Sequence, residues 1–390
     1  MQLPTFVRAT LSSLTVATVT MGLVACGGAL PAVQSPAEEE VVHATATVVT
    51  PTEASNIAEL FAEALSLLSQ GRAEEAARSF ELVASADTTP TYALAARFNA
   101  GIAWEQAGDE AKAAIRYEET IESAPDTDLA KSAAIRASRL FARGAIWGER
   151  LSGVADYLLS RGDLTEYERL EALGAKGLAL VAAGEVEAAE RKVVEARNLI
   201  DQLGIGMGGQ LPTAVAQVQF TLGEIRKAKS ERIVFVPLPA DFADALERRC
   251  QGLLDAQSAY TDAMRSLDPH WAAMSGFRVG QLYQGLYDDL AAMTPPPQAD
   301  TPERRALFEA ALRLRYRILL EKGLKMMEHT VRMGERTNEA AEWTALAREA
   351  RDDLLQTLAE EKEALRRLPY TEDDLQRALE ALEKGSRPSM

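Results

Sequence analysis

Three stretches of the chain repeat one pattern: Gly71-Arg72-Ala73-Glu74-Glu75-Ala76, Gly108-Asp109-Glu110-Ala111-Lys112-Ala113 and Gly184-Glu185-Val186-Glu187-Ala188-Ala189. Each reads as a glycine turn that opens a helix rich in Ala and Glu, with another helical run before the turn. The turns stand 37 and 76 residues apart, the second interval being about twice the first. A degenerate copy is therefore expected between them, and a period in the mid-thirties is that of stacked helical hairpins. Such a unit cannot bury its apolar face alone, so the pattern commits the chain to an all-α solenoid in which each hairpin packs on the next.

The residues around each turn keep a constant frame. Before the turns stand Ala64 and Leu67, Gly101 and Trp104, Gly177 and Leu180; after them stand Ala76 and Phe80, Ala113 and Tyr117, Ala189 and Val193. Small residues let two helices approach, and the large residue one turn on fills the space between neighbours. In this frame the chain resembles the tetratricopeptide repeat. The second copy matches best, with Gly101, Trp104, Gly108, Ala113, Tyr117 and Pro125 in place, whereas Thr88 and Asp201 replace the proline of the first and third. The resemblance implies a solenoid over residues 57–203.

Weaker copies follow in another phase, over 212–293. Phe220, Leu222 and Gly223 resemble a first helix, and Ala256, Tyr260, Ala263 and Pro269 a second, with Ile233-Val234-Phe235-Val236-Pro237-Leu238-Pro239 between them. A β-branched and aromatic run closed by two prolines is extended. The segment 233–239 is read either as a buried strap along the solenoid or as a strand that pairs with a partner. Phe277, Val279, Gly280 and Tyr283 mark another first helix, which Pro295-Pro296-Pro297 ends. Beyond it, Pro302 to Glu335 and Asn338 to Leu368 read as two long, charged, amphipathic helices that cap the array as a hairpin, and 369–390 is an acidic, polar tail. Asp255-Ala256-Gln257, Asp268-Pro269-His270-Trp271 and Gly276-Phe277-Arg278-Val279-Gly280 look similar to the carboxy-terminal halves of repeat lipoproteins of myxobacterial type, over about 212–350.

The first residues are of a different kind. Arg8 followed by an Ala/Thr/Val/Leu-rich stretch, too short to span a bilayer comfortably, reads as a signal peptide over 1–25. Leu23-Val24-Ala25-Cys26 resembles the lipobox of bacterial lipoproteins, and an ordinary cleaved signal that happens to contain a cysteine is the other reading. The lipoprotein resemblance implies cleavage before Cys26 and acylation of its thiol and new amino terminus. More than one acyl chain makes anchoring stable. Gly27, where inner-membrane retention favours Asp, implies the outer membrane. Residues 26–55, with Gly27-Gly28, Pro31, Pro36, Glu38-Glu39-Glu40 and Pro51 but no helical period, read as a lipidated flexible tether with a reach of some tens of ångströms.

Charge narrows the function. The 58 acidic and 42 basic side chains give −16, and loss of residues 1–25 removes only Arg8, leaving −17. Nucleic acid is disfavoured as a partner. Cys250 shares a helical face with Leu246, Leu253 and Gln257 and reads as a buried thiol with no disulfide partner once Cys26 is lipidated. Of the three histidines, His43 falls in the tether and His329 lacks a second histidine at metal-binding spacing. Asp268-Pro269-His270-Trp271 pairs a His with an Asp, but it also reads as a helix start, Asp as cap and Pro at the first position. The glycines 204, 206, 208 and 209 follow no strand and lack a Lys-Ser/Thr, so they read as a loop and not a phosphate site. No catalytic residue, metal, cofactor or small-molecule substrate is expected.

Binding remains. The resemblance implies a groove lined by inner helices, where Phe61, Phe98, Phe220 and Phe277 recur at one position, with Ile102 beside them. These side chains either form an exposed stripe that grips a partner or pack against the next repeat. Phe61 and Leu65 stand where the carboxylate-clamping variant of the family carries Lys and Asn. The expectation is an outer-membrane, lipid-anchored scaffold or adaptor, facing the periplasm, that binds envelope proteins. A periplasmic holdase and a cell-wall hydrolase are the alternatives.

Overall fold

Three turns with the same hydrogen bonds set the geometry. Gly71, Gly108 and Gly184 have φ of +75°, +80° and +78°, a left-handed conformation that glycine adopts without steric penalty. In each, the residue after the glycine donates its N–H five residues back, Arg72 to Leu67 O at 3.0 Å, Asp109 to Trp104 O at 2.9 Å and Glu185 to Leu180 O at 2.8 Å, while the glycine N–H reaches three residues back. These paired bonds satisfy carbonyls that a helix end leaves open and send the chain back antiparallel.

The structure is a computed structural model describing residues 51–86, 90–144, 147–205, 211–239, 241–266, 268–295, 299–337, 340–367, 369–371 and 375. The expected signal peptide, Cys26 and the tether up to residue 50 lie outside the described residues, as does most of the acidic tail. Thirteen helices are described: α1 (Pro51–Ser69), α2 (Ala73–Ala86), α3 (Pro90–Gln106), α4 (Glu110–Ser123), α5 (Asp128–Arg143), α6 (Glu149–Ser160), α7 (Glu166–Ala182), α8 (Val186–Leu203), α9 (Thr213–Glu231), α10 (Phe242–Met264), α11 (Pro269–Ala291), α12 (Pro302–Thr337) and α13 (Ala341–Arg366). The fold is all-α, built of antiparallel helical hairpins, and the described residues contain no strand. Helix α1 starts at Pro51, so the last residues assigned to the tether are helical; proline is favoured in a first turn because its missing N–H would be unpaired there.

The helices form two compact units that part in the first turn of α7. In the first unit, consecutive helices pack as hairpins from α1 to α6, and α1, α3 and α5 also touch in a row. Helix α3 is enclosed by this arrangement: Ala93, Ala96, Phe98, Asn99, Ile102 and Ala103 are all buried. The degenerate copy expected between Gly108 and Gly184 is the α5–α6 hairpin, whose Gly144 has an extended backbone instead of a left-handed one. Thr127 caps α5 through Ala130 N at 3.2 Å. Pro125, one residue past the cap of α4, offers its carbonyl to the Tyr157 hydroxyl at 2.5 Å and Arg161 Nη1 at 2.9 Å.

In the second unit α8 packs on α9, α9 on α10, and so on to α13, while α9, α11 and α13 form the corresponding row. Helix α7 is set against α9 through glycines: a Cβ on Gly174 would lie 3.0 Å from Gln217, and one on Gly177 2.7 Å from Thr221. Segment 233–239 is neither helix nor strand, and it bends at Val236-Pro237. Phe235 is buried against Phe242, ring centroids 5.4 Å apart, while Val234 and Val236 are 61% and 51% exposed. It is a strap whose one fully buried side chain is Phe235, with Ile233, Leu238 and Pro239 partly covered.

Candidate partner-binding surface

Repeat proteins bind through side chains left over once the hairpins are packed, so the frame decides which residues are available. Phe61, Phe98, Phe220 and Phe277 are 3%, 0%, 0% and 6% exposed and Ile102 is 1% exposed. The exposed stripe is not there, and these five residues are interior. Phe61 lies edge-on to Phe80 and Tyr92, Phe98 against Tyr117, Phe220 against Tyr260 and Trp271, and Phe277 against Trp343, with centroids 5.3 to 5.9 Å apart. The reason is positional. Each phenylalanine precedes by three residues a small one, Ala64, Gly101, Gly223 or Gly280, and i and i+3 share a helix face.

That face receives a large side chain from another helix. A Cβ at Gly101 would sit 2.5 Å from the Tyr117 ring, one at Gly223 2.5 Å from Tyr260, and one at Gly280 2.5 Å from Met327. The partners lie 16, 37 and 47 residues along the chain. One packing frame is thus reached through connections of very different length, the middle one containing the strap.

The tyrosine of this frame carries a polar network with it. Tyr117 donates to Glu105 Oε2 at 2.6 Å, and Arg136 Nη1 reaches the same oxygen at 3.2 Å, joining α4, α3 and α5. Tyr260 donates to Glu224 Oε1 at 2.8 Å, and Arg278 Nε reaches that oxygen at 2.8 Å, joining α10, α9 and α11. Burial pushes both phenols well above their usual range, and the neighbouring carboxylate adds to the effect. The second network is the more enclosed, with Glu224 and Arg278 side chains 7% and 17% exposed. Arg278 also donates to Gln281 Oε1 at 2.6 Å and stands 5.7 Å from the Trp343 ring centroid on α13. Sequence reasoning missed Glu224, Arg278 and Glu105. The only signal available was their position beside the Phe-x-x-Gly motif.

A cleft of about 380 Å³ opens between α2, α3 and α4, lined by Glu81, Arg97, Arg116, Glu119 and Glu122 among others. Glu81 accepts from Trp104 Nε1 at 2.9 Å and pairs with Arg116 at 3.1 Å, and Arg116 reaches Glu119 at 2.6 Å. Arg116 is thus engaged by two carboxylates of the cleft, while Arg97 donates to Ser123 Oγ at 3.4 Å.

The remaining sequence candidates resolve into structural roles. Asp268 Oδ1 accepts the N–H groups of His270 and Trp271 at 3.0 and 3.1 Å, so it caps α11 with Pro269 in the first turn. Cys250 is buried, and burial pushes its thiol up to about 11. Gly204 ends α8 with φ of +62°, while residues 206–210 and His43 lie outside the described residues. Among the described residues no group of three His, Cys, Asp or Glu is placed to hold a metal ion. No helix among them is long and apolar enough to cross a membrane.

No family model and no curated protein matches the chain. Among solved structures, it is similar to a tetratricopeptide repeat protein from Parabacteroides merdae, with a TM-score of 0.39 and 11% identity over 75% of this chain and 99% of that one.

Proposed function

We propose that the protein is a scaffold for protein–protein interaction, an adaptor that recruits partners and does no chemistry on them. The observation that carries this reading is the repeated hairpin frame. Four Phe-x-x-small motifs serve packing, the Tyr–Glu–Arg networks knit hairpins together, and Asp268-Pro269-His270, the sharpest catalytic suggestion in the sequence, is spent on a helix cap. Stacked hairpins of this kind offer long side-chain surfaces, which suit macromolecular partners better than small substrates.

The cellular setting belongs to the same proposal. Cleavage before Cys26 and its acylation would tie the scaffold to the outer membrane, and residues 27–50 would give it reach. Confinement to a surface raises the effective concentration of weakly bound partners. Envelope assemblies such as outer-membrane protein insertion, secretion, polysaccharide export and motility are the candidate settings.

The test is in-cell crosslinking and capture with the intact chain and with Cys26→Ala, alongside labelling with an alkyne fatty acid. Labelling of the intact chain but not of Cys26→Ala, with a defined envelope protein captured by the former, is the expected result. A chain that takes up no label overturns the anchor. A captured set no different from that of an unrelated lipoprotein bait overturns the scaffold.

A further inference from the structure

Helix α12 runs against the charge of the rest of the chain. It holds nine Lys or Arg against five Glu, in a protein whose net charge is −16. Arg315, Lys322, Lys325, His329, Arg332 and Arg336 fall on it at steps of three and four, with Ile318, 40% exposed, filling the gap between the first two. That spacing places them in single file on one face. At 1.5 Å per residue the line from Arg315 to Arg336 is ~32 Å long.

Packing leaves the carboxy-terminal part of this face open, while Lys322 is half-buried with its Nζ 5.6 Å from the Tyr283 ring centroid on α11. The sides of α12 that meet α11 and α13 carry Leu320, Gly323, Met327, Val331 and Gly334, all buried, while Lys325, His329, Arg332 and Arg336 are exposed. Elsewhere on the hairpin Arg317 pairs with Glu321 and Arg348 with Glu335, both at 3.1 Å. Lys325, Arg332 and Arg336 make no ion pair among the described residues. Burial, then the Arg332 and Lys325 charges beside it, hold the His329 imidazole below its usual range.

The line is also narrow. Glu321, Glu328 and Glu335 recur every seven residues, each immediately before a member of the cationic line. Successive residues are 100° apart around a helix, so these carboxylates form a parallel acidic line round the side. A broad anionic surface brought to this face would meet both lines. A rod one helix wide would meet the cations alone. We propose that the α12 stripe is a docking surface for an acidic helix of a partner protein, one that presents Asp or Glu at matching steps of three and four. This deepens the scaffold reading and rests on it.

Fluorescence anisotropy of a labelled synthetic helix of about four heptads, long enough to be helical alone, tests the stripe on the full chain. One peptide carries Glu at the matching positions and a second carries Gln. Binding of the Glu peptide is expected to be at least tenfold tighter than that of the Gln peptide. It should weaken at least tenfold in K325E/R332E, and also at about 0.5 M salt, where exposed charges are screened. Lys192→Glu, on α8 of the same unit, should leave it unchanged. Equal binding of the two peptides, full binding by K325E/R332E, or equal loss in Lys192→Glu overturns the proposal. Tighter binding to phosphatidylglycerol vesicles or to a DNA duplex than to the Glu peptide does the same. If circular dichroism shows that K325E/R332E has lost helix, K325Q/R332Q takes its place with the same criteria. In cells, crosslinked partners that persist in K325E/R332E overturn the stripe but leave the scaffold standing, whereas a chain that captures no partner loses both.

Discussion

At the scale of single residues, glycine has two distinct uses here that substitution separates. Gly71 needs its φ of +75° and has open space around it, whereas Gly101 sits in a helix under the Tyr117 ring. Gly71→Ala should destabilise the fold by about 1 kcal/mol, the penalty for a Cβ in the left-handed region. Gly101→Ala should cost about 1–3 kcal/mol by overpacking and be partly rescued by Tyr117→Leu, which Gly71→Ala would not be. Urea titrations of the four variants check both; rescue of Gly71→Ala by Tyr117→Leu would count against the assignment. Phe98, fully buried against Tyr117, gives a second expectation. Phe98→Ala should lose about 3–5 kcal/mol of stability, so any loss of partner binding in that variant should track the loss of fold.

Among the elements, the inner helices show what was legible in the chain and what was not. The glycine turns, the hairpins and the α12–α13 pair could be read because helical period and turn chemistry are local. Whether Phe61, Phe98, Phe220 and Phe277 face solvent could not, since an inner helix lies between its own hairpin partner and its neighbours in the row. A single apolar line of helical period fits either side. The Glu224–Arg278 pair was illegible for another reason: its members are 54 residues apart, and each alone looks like a surface charge. Removing Arg278 should leave a buried carboxylate without its counter-ion. Arg278→Ala is expected to lose about 3 kcal/mol, and Glu224→Gln in the same chain to restore part of that. A double-mutant cycle by chemical denaturation measures the coupling, and additive losses would mean that the two do not interact.

For the whole molecule, buried phenols dictate the response to alkali. Tyr117, Tyr260 and Tyr287 are raised by burial, Tyr283 is pushed to about 12 and the Cys250 thiol to about 11. The folded chain therefore keeps protons that the unfolded chain gives up, and the stability they contribute is intact below about pH 9 and lost as pH climbs beyond it. Lys322 works the other way, since burial lowers it to about 8 and its charging penalty fades between there and its ordinary value. Five groups outweigh one, so helix content and tyrosinate absorbance should change together, in a cooperative step above about pH 10. Tyrosinate absorbance equal to that of all nine tyrosines near pH 10, with the helices intact, would contradict the burial of these four rings.

The order of packing in residues 51–160 has a mechanical side. Each helix there touches its neighbours in sequence, and α1, α3 and α5 also touch in a row, with no strand among the described residues to clamp distant parts together. Tension on one end is therefore met by one hairpin interface after another, and the chain yields in hairpin-sized steps instead of snapping open at once. Loaded at its two ends, such a stack would act as a graded spring whose give is set by its weakest hairpin interface.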